Sequence, residues 1–552
     1  TYRIEAMFQR IIYYILLCFI ILNLNQCNSD DFHDEKKNKY IVLSVIFGTA
    51  SHAKSMLYIG EEMVKRGHEV IYMPTTITRE FAKGFNISTV PLKTPEYRHT
   101  SKEEEEKETE QLKEKLIKFR TSLTADVSIA RSIATVFNRI ADDTYEKAVF
   151  GLLDAFQKRK PNLVICDFMG MACADVCAHL NIPYMISIVS LAHIGHPELP
   201  TYIPDQHIGR SVFSITFFQR FYDKFIFNLQ LFTFVFPGLK KMNQIRSKYG
   251  LPTYFNPQTN LINRPVLITS FDGWTVPHVR SPLIHIVGPV IQEKELQKQI
   301  PHDLLQWLED ARSLNKPVIY VAFGSIAVLT RAHIKILLNS FSMDSSSYRI
   351  LWSLGGLSKE QFPVDIIKQD NKYNIRFEQW VPQLKVLAHP AVKLFITHGG
   401  IESIHEILYI GKPSIMIPLF GDQFGNAILA RDRGLGGYLD KKTMTSNDVS
   451  KMVHQLIDNY ENHSSQLYHN LDKMRRIVQY NLNNYKQIYN ALEMEMDVGS
   501  EHLIPVSVSW IIAYDIDIWL TFIILVAILI CILRIVYKTC CGNKTKEKVK
   551  NN

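Results

Sequence analysis

Residues 395–423 constrain the fold of this chain more than any other stretch. An apolar run ending at Thr397 breaks at His398-Gly399-Gly400 and leads into a helix start. A second apolar run, opening at Pro413, ends in the acid-amide pair Asp422-Gln423. Strand, glycine turn, helix and strand are the unit of α/β layering, and the pattern recurs along both halves of the sequence. In the first half, strands are expected at 40–48, 68–73, 162–166 and 182–187, with helices at 54–65 and 171–180. In the second, strands are expected at 317–323, 348–354, 374–377, 393–397 and 414–419, with the clearest helices at 403–409 and 424–431. Strands that are apolar nearly throughout fit parallel sheets covered on both faces, so the expected fold class is α/β. A length of 552 residues with 47% apolar content allows two or three domains with sizeable cores. The junction is expected at 288–301, where Gly288-Pro289 precedes a polar run, and Gly434-Leu435-Gly436-Gly437 reads as a turn.

The two ends carry different signals. Thr1 opens the chain, so Met7 is the expected start; Arg10 and the apolar run 11–24 then read as a cleavable signal peptide over 1–27. Near the other end, 518–533 carries no charge and Arg534 can snorkel, giving a membrane span over 515–537. Asp515 and Asp517 precede it, while Lys538, Lys544, Lys546, Lys548 and Lys550 follow. The positive-inside rule puts the tail 538–552 in the cytosol and the body in the lumen, and Lys548-Val549-Lys550-Asn551-Asn552 matches a KxKxx retrieval signal of the endoplasmic reticulum. Of eight cysteines, only Cys166, Cys173 and Cys177 remain for a luminal body. Their crowding in one strand-helix unit predicts packing rather than a disulfide framework, and they are too few for a zinc site. Asn86-Ile87-Ser88 and Asn462-His463-Ser464 are glycosylation sequons that fit a luminal body. Residues 101–115 read as a solvated charged helix. The aromatic-rich stretch 212–236 reads as a buried helical core, or else as a wall for a greasy acceptor or a face on a membrane.

Several chemistries are excluded by motif. Net charge is +8, but the basic residues are spread and one end carries its own basic tail, so nucleic acid is not an expected partner. No G-x-G-x-x-G opens a helix after the first strand, which argues against nicotinamide and flavin enzymes; no P-loop and no H-E-x-x-H is present. The positive signal is for a nucleotide. A helix N-terminus after Gly400 would suit a phosphate, with His398 and Ser403 beside it, Glu406 one turn on to accept from ribose hydroxyls, and Asp422 with Gln423 on sugar hydroxyls. Trp380-Val381-Pro382-Gln383 follows a strand, and the Trp380 ring is suited to stacking on a base. Gly324-Ser325 would add a backbone and a hydroxyl contact to the phosphates. In the loop after the first strand, His52 is a candidate base for a hydroxyl nucleophile, and Asp167, following the 162–166 strand, is placed to orient it.

Taken together, 395–423, the Trp380–Gln383 block and the His52/Asp167 pair resemble the UDP-glycosyltransferases, and signal peptide, two halves, span and basic tail resemble the animal membrane-bound members of that family. The resemblance implies two Rossmann-like domains facing across a cleft, of the GT-B type: an acceptor domain over 28–288 and a UDP-sugar domain over 289–510. It implies that Trp380, Val381 and Gln383 form the uracil platform, and that Gly324, Ser325, His398, Gly400, Ser403, Glu406, Asp422 and Gln423 hold the rest of the donor. His52 as base and Asp167 as orienter would then drive inverting displacement of UDP. Neither a metal nor a cofactor is expected, UDP-sugar being the co-substrate; the expected partners are a small lipophilic acceptor, the membrane and, in some settings, homo- or hetero-oligomers. Two residues depart from the family pattern. Glu402 stands where an Asn is common, beside the phosphate, and Ser414 replaces an apolar residue. A neutral hexose is expected at Asp422, glucose ahead of glucuronic acid. The alternative is a non-catalytic nucleotide-sugar-binding partner subunit.

Overall fold

The computed structural model describes residues 38–47, 50–75, 78–93, 128–189, 202–205, 207–256, 259–274, 276–291, 293–324, 329–344, 346–355, 374–482, 484, 488–504, 511 and 516–547. The expected signal peptide, the charged segment 101–115, Ser325 and the retrieval signal at 548–552 lie outside these residues.

Two parallel sheets organise the body. The first has seven strands: β1 (Tyr40–Ser44), β2 (Glu69–Tyr72), β3 (Ser88–Thr89), β4 (Leu163–Asp167), β5 (Tyr184–Ile188), β6 (Val266–Ile268) and β7 (Ile284–Ile286), in the order β3-β2-β1-β4-β5-β6-β7. The second has six: β8 (Val318–Ala322), β9 (Arg349–Ser353), β10 (Ile375–Glu378), β11 (Val392–Thr397), β12 (Ser414–Met416) and β13 (Gly436–Tyr438), in the order β10-β9-β8-β11-β12-β13. The central strands β1, β4, β5, β8 and β12 are buried at every position, which is why they read as unbroken apolar runs. In each sheet the chain winds outward one way and then the other, so the order reverses between β1 and β4 and between β8 and β11. Such a switch point opens a crevice at the carboxyl ends of the strands.

The helices that matter for the crevices are α1 (Ala50–Lys65), α2 (Met171–His179), α3 (Asn228–Lys248), α4 (Gln383–Ala388), α5 (Ile401–Ile410), α6 (Gln423–Asp432) and α7 (Ile488–Asp497). Apolar clusters cover both faces of each sheet. A further cluster joins the halves: Val189, Phe271 and Trp274 from the first pack with Ile401, Ile404 and Met416 from the second. From the far side of the second half, α7 returns to the first sheet, where Ile488, Tyr489 and Leu492 share a core with Ile41 and Leu43.

Four expectations are corrected. His52 lies in the first turn of α1 rather than in the preceding loop, since the helix starts four residues earlier than the apolar pattern suggests. Gly436 and Gly437 are not a turn but the edge strand β13, paired with Ser414 and Ile415. Gly436 must be glycine, because a side chain there would meet the Ser414 carbonyl, whereas one at Gly437 would meet the flexible Met452 side chain. Cys166 and Cys173 are disulfide-bonded: the turn after β4 folds α2 back until their Cα atoms are 5.7 Å apart, within the range a bridge needs. Cys177, one turn further on α2, stays a buried thiol. Lastly, the aromatic stretch is not core. Phe213, Phe217, Phe218, Phe225, Leu229 and Phe236 are exposed, and only Phe227 and Val235 among their apolar neighbours are buried.

The unit 501–552 contains one long helix, α8 (Ile516–Glu547). Its Ile516–Lys538 portion, 23 residues of mean hydropathy 2.9, is long and apolar enough to cross a bilayer.

Candidate active site

Each switch point carries one part of the expected site. At the first, β1 and β4 run side by side, with Ser44 beside Cys166, so the α1 start after β1 and the last residue of β4 end on the same edge. There the His52 Nδ1 lies 2.8 Å from the Asp167 Oδ2, and Asp167 is fully buried while His52 keeps a small exposed edge. Asp167 is fixed in turn, its Oδ1 accepting from the Met169 amide at 3.0 Å. The Phe168 ring stacks on the imidazole at a centroid distance of 5.5 Å. Burial opposes a charge on His52, but Asp167, by charge and hydrogen bond, and then Asp422 and Glu402 outweigh it, so its pKa lies above the ordinary imidazole value. With Asp167 on Nδ1, the Nε2 is the nitrogen left to take a proton.

At the second switch point, β8 and β11 pair with Ala322 beside Thr397. Gly324 follows β8 and His398 follows β11. The imidazole is wedged between two glycines: a Cβ on Gly324 would meet its Cε1 at 2.8 Å, and one on Gly400 would meet its Nε2 at 2.6 Å. Gly324 also has φ +71°, so it is glycine for conformation as well as for space. Burial pushes the His398 pKa down to about 4, which keeps the ring neutral at physiological pH. Gly400 is the N-cap of α5 and has no side chain to cap it, so the first amides of the helix are left for a ligand.

The remaining donor candidates surround α5. Gln383 opens α4; its Nε2 donates to the Glu406 Oε2 at 2.6 Å and lies 3.3 Å from the Ser403 Oγ, and its Oε1 accepts from the Tyr320 hydroxyl at 3.2 Å. Burial raises the Glu406 pKa to about 7, against the pull of Lys54 and Gln383. Trp380 is 65% exposed, with the Lys298 ammonium 5.8 Å from its ring centroid, whereas Val381 beside it is buried. Asp422 stands at the N-cap position of α6 without a side-chain capping bond, and its Oδ2 accepts from the Asn426 Nδ2 at 2.9 Å; burial holds its pKa above the ordinary carboxylate value against the pull of His207, Asn426 and His52. Gln423 is placed differently from the expectation. It is buried, and its Oε1 accepts the Leu419 and Phe420 amides at 2.9 and 3.1 Å, so its carbonyl end shapes the β12–α6 turn.

Residues the motifs did not single out complete the cleft. His207 forms a second histidine-carboxylate pair, its Nδ1 2.7 Å from the Asp205 Oδ1, and Asp422 adds to the charge it feels. The loop carrying it leans on the start of α6, where a Cβ on Gly209 would meet the Phe424 Cβ at 2.7 Å. Between α1 and α5 lies a cavity lined by Lys54, Tyr58, Glu295, Glu402, His405 and Glu406, among others. The only trace of it in sequence is a pair of i, i+4 spacings, Lys54/Tyr58 and Glu402/Glu406, that put two polar groups on one helix face.

The comparisons with known proteins agree with this geometry. Residues 41–547 match the family model described as UDP-glucoronosyl and UDP-glucosyl transferase. A UDP-glycosyltransferase, stmC, of Aspergillus ustus is 23% identical over 54% of this chain and 59% of its own length, so the chain spans about three-fifths of that relative. UDP-glucuronosyltransferase 2B10 of Homo sapiens is 23% identical over 76% of this chain and 80% of its own length. Among solved structures, the kitacinnamycin glycotransferase superposes with a TM-score of 0.56 at 15% identity, covering 85% of this chain and all of its own. The calicheamicin glycosyltransferase CalG4 does so with a TM-score of 0.55 at 16% identity, covering 84% and 99%. Those two share the two-domain GT-B architecture, and with the family model matching nearly the whole chain, this protein belongs to the UDP-glucoronosyl and UDP-glucosyl transferase family.

Proposed function

We propose that the protein transfers a neutral hexose, glucose first, from its UDP conjugate to a hydroxyl of a small lipophilic acceptor. The observation that carries this reading is the His52–Asp167 pair, held at 2.8 Å and electrostatically coupled to Asp422 of the opposite half. The acceptor oxygen loses its proton to the His52 Nε2 as it attacks the anomeric carbon, and Asp167 stabilises the imidazolium that forms. The bond from that carbon to the diphosphate breaks on the opposite face, which inverts the anomeric configuration. The free amides of α5 and the neutral His398 meet the charge that develops on the departing diphosphate. Trp380 with Gln383 supports the uracil and Glu406 the ribose. Apolar walls at Phe168 and Val189 suit a lipophilic acceptor.

A neutral sugar is supported by the charges around its expected position. The charged neighbours of Asp422 are His207, already committed to Asp205, and His52, committed to Asp167. The adjoining cavity sets three glutamates against Lys54. A sugar carboxylate would find no uncommitted cation among these groups. The protein would act as a single-pass membrane enzyme of the endoplasmic reticulum, its body in the lumen. The Cys166–Cys173 disulfide and the exposed sequon residues Asn86 and Asn462 support that side of the membrane. The test is transfer to one phenolic acceptor from UDP-glucose and from UDP-glucuronate in parallel. A higher kcat/KM with UDP-glucose is expected; the reverse order overturns the sugar assignment, and no transfer from any UDP-sugar overturns the reaction.

A further inference from the structure

The departure at Glu402 shares a cavity with Lys54 of α1. Glu402 is the second residue of α5, in the turn whose free amides would receive the diphosphate, and a carboxylate there is itself a good ligand for those amides. It would compete with the donor for them. Glu402 and Glu406 are spaced i, i+4 and share one face of α5; Lys54 and Tyr58 have the same spacing on α1, and all four line one cavity. Glu295 closes the set, its Oε2 3.8 Å from the Lys54 Nζ and its Oε1 accepting from the Tyr58 hydroxyl at 3.0 Å.

We propose that Lys54 is a donor-positioning residue: it draws the Glu402 carboxylate toward α1 and so keeps the α5 N-terminus open for the diphosphate of the UDP-sugar. This rests on the donor site proposed above and gives it a device of its own. Charges support the geometry. Burial opposes the Lys54 ammonium, yet Glu402, Glu406 and Glu295 together hold its pKa above the ordinary value. On Glu402, burial holds the pKa above the ordinary carboxylate value, and Lys54 and then His52 pull against it. Glu402 therefore has two cationic neighbours, both on α1, and Lys54 is the stronger. Because α1 also carries His52, the same pair draws the base toward the donor half.

The pairing makes a sign-specific prediction for UDP affinity, measured by titration calorimetry on the full-length protein in detergent. Lys54→Met should weaken UDP by about tenfold or more, because the released carboxylate settles on the α5 amides. Lys54→Arg should stay near wild type. Glu402→Gln should bind UDP as tightly as wild type or more tightly. The double variant, Lys54→Met with Glu402→Gln, should recover most of the loss, which a purely structural role for Lys54 would not produce. A Lys54→Met variant that binds like wild type overturns the proposal. So does a double variant as weak as Lys54→Met, since Lys54 would then act on the donor directly. Wild-type protein that binds no UDP would remove the donor site itself and the pairing with it, whereas wild-type binding with either of the first two results removes the pairing alone.

Discussion

At the scale of single residues the site divides into groups that act on the proton and groups that act on the nucleotide, and the two are separable by experiment. His52→Ala removes the base without touching the donor, so kcat should fall by about 10² to 10⁴ while the Kd for UDP stays the same. A variant with near-normal turnover would show that another group takes the proton. The pH profile carries the sign of the His52 environment. Only neutral imidazole accepts a proton, and the pKa is raised, so kcat/KM should climb with pH and reach its half-height above the ordinary imidazole value of 6.5. Asp167→Asn removes the largest stabilisation of the imidazolium, so in that variant the half-height should move down and the plateau should fall. An unshifted half-height would mean that the profile reports a different group. Trp380→Ala tests the other side. The ring is exposed, so its loss should leave the fold intact and weaken UDP by about 10- to 100-fold, the worth of one stacking contact of roughly 1–3 kcal/mol. His52, Asp167 and Trp380 were singled out by their place beside strand ends together with the family resemblance, and the fold brings the first two into contact. Lys54 and His207 were not, since a lysine on a helix and a histidine in a loop take on meaning only when the opposite half is folded against them.

At the scale of elements, legibility followed burial. The strands buried on both faces announced themselves as apolar runs, and β1, β4, β8 and β11 were located to within a few residues. The short strands β3, β6, β7 and β13 were missed. Two glycines in β13 look like a turn until the close approach of the Ser414 backbone explains the first of them. The disulfide was missed because sequence spacing alone does not show that the turn after β4 brings α2 back over Cys166. For the aromatic stretch, core and exposed face were both left open, because composition reports apolarity but not which way it faces. Eight or more aromatic and aliphatic side chains between 213 and 236 are exposed, a surface of the kind that marks contact with another body. Their exposure predicts that replacing Phe217, Phe218 and Phe221 together by Ser leaves the melting temperature nearly unchanged, since surface substitutions usually cost within about 0.5 kcal/mol each. Loss of the folded state in that triple variant would return the stretch to the core.

At the scale of the whole molecule, two facts about assembly lay beyond a reading from one residue to the next. The order of the strands puts His52 beside Asp167 across 115 residues of sequence, and helix α7 leaves the second half to complete the core of the first. Both are long-range pairings, and an amphipathic helix does not say in its sequence which sheet it covers. The proposed division into a luminal body, a span and a cytosolic tail rests, by contrast, on charge: acidic residues before the span, lysines after it. Three independent features of the folded body agree with that orientation: a buried disulfide, and two sequons whose asparagines are exposed. They lead to one measurement on sealed microsomes. Added protease should remove only the basic tail and leave the body intact, with its Cys166–Cys173 peptides still joined under non-reducing conditions and Cys177 alkylated only after denaturation. Detergent should then expose the body to the same protease. Digestion of the body before detergent would reverse the orientation, and alkylation of Cys166 or Cys173 in the protein denatured without reductant would show that the pair is reduced and that the compartment does not oxidise it.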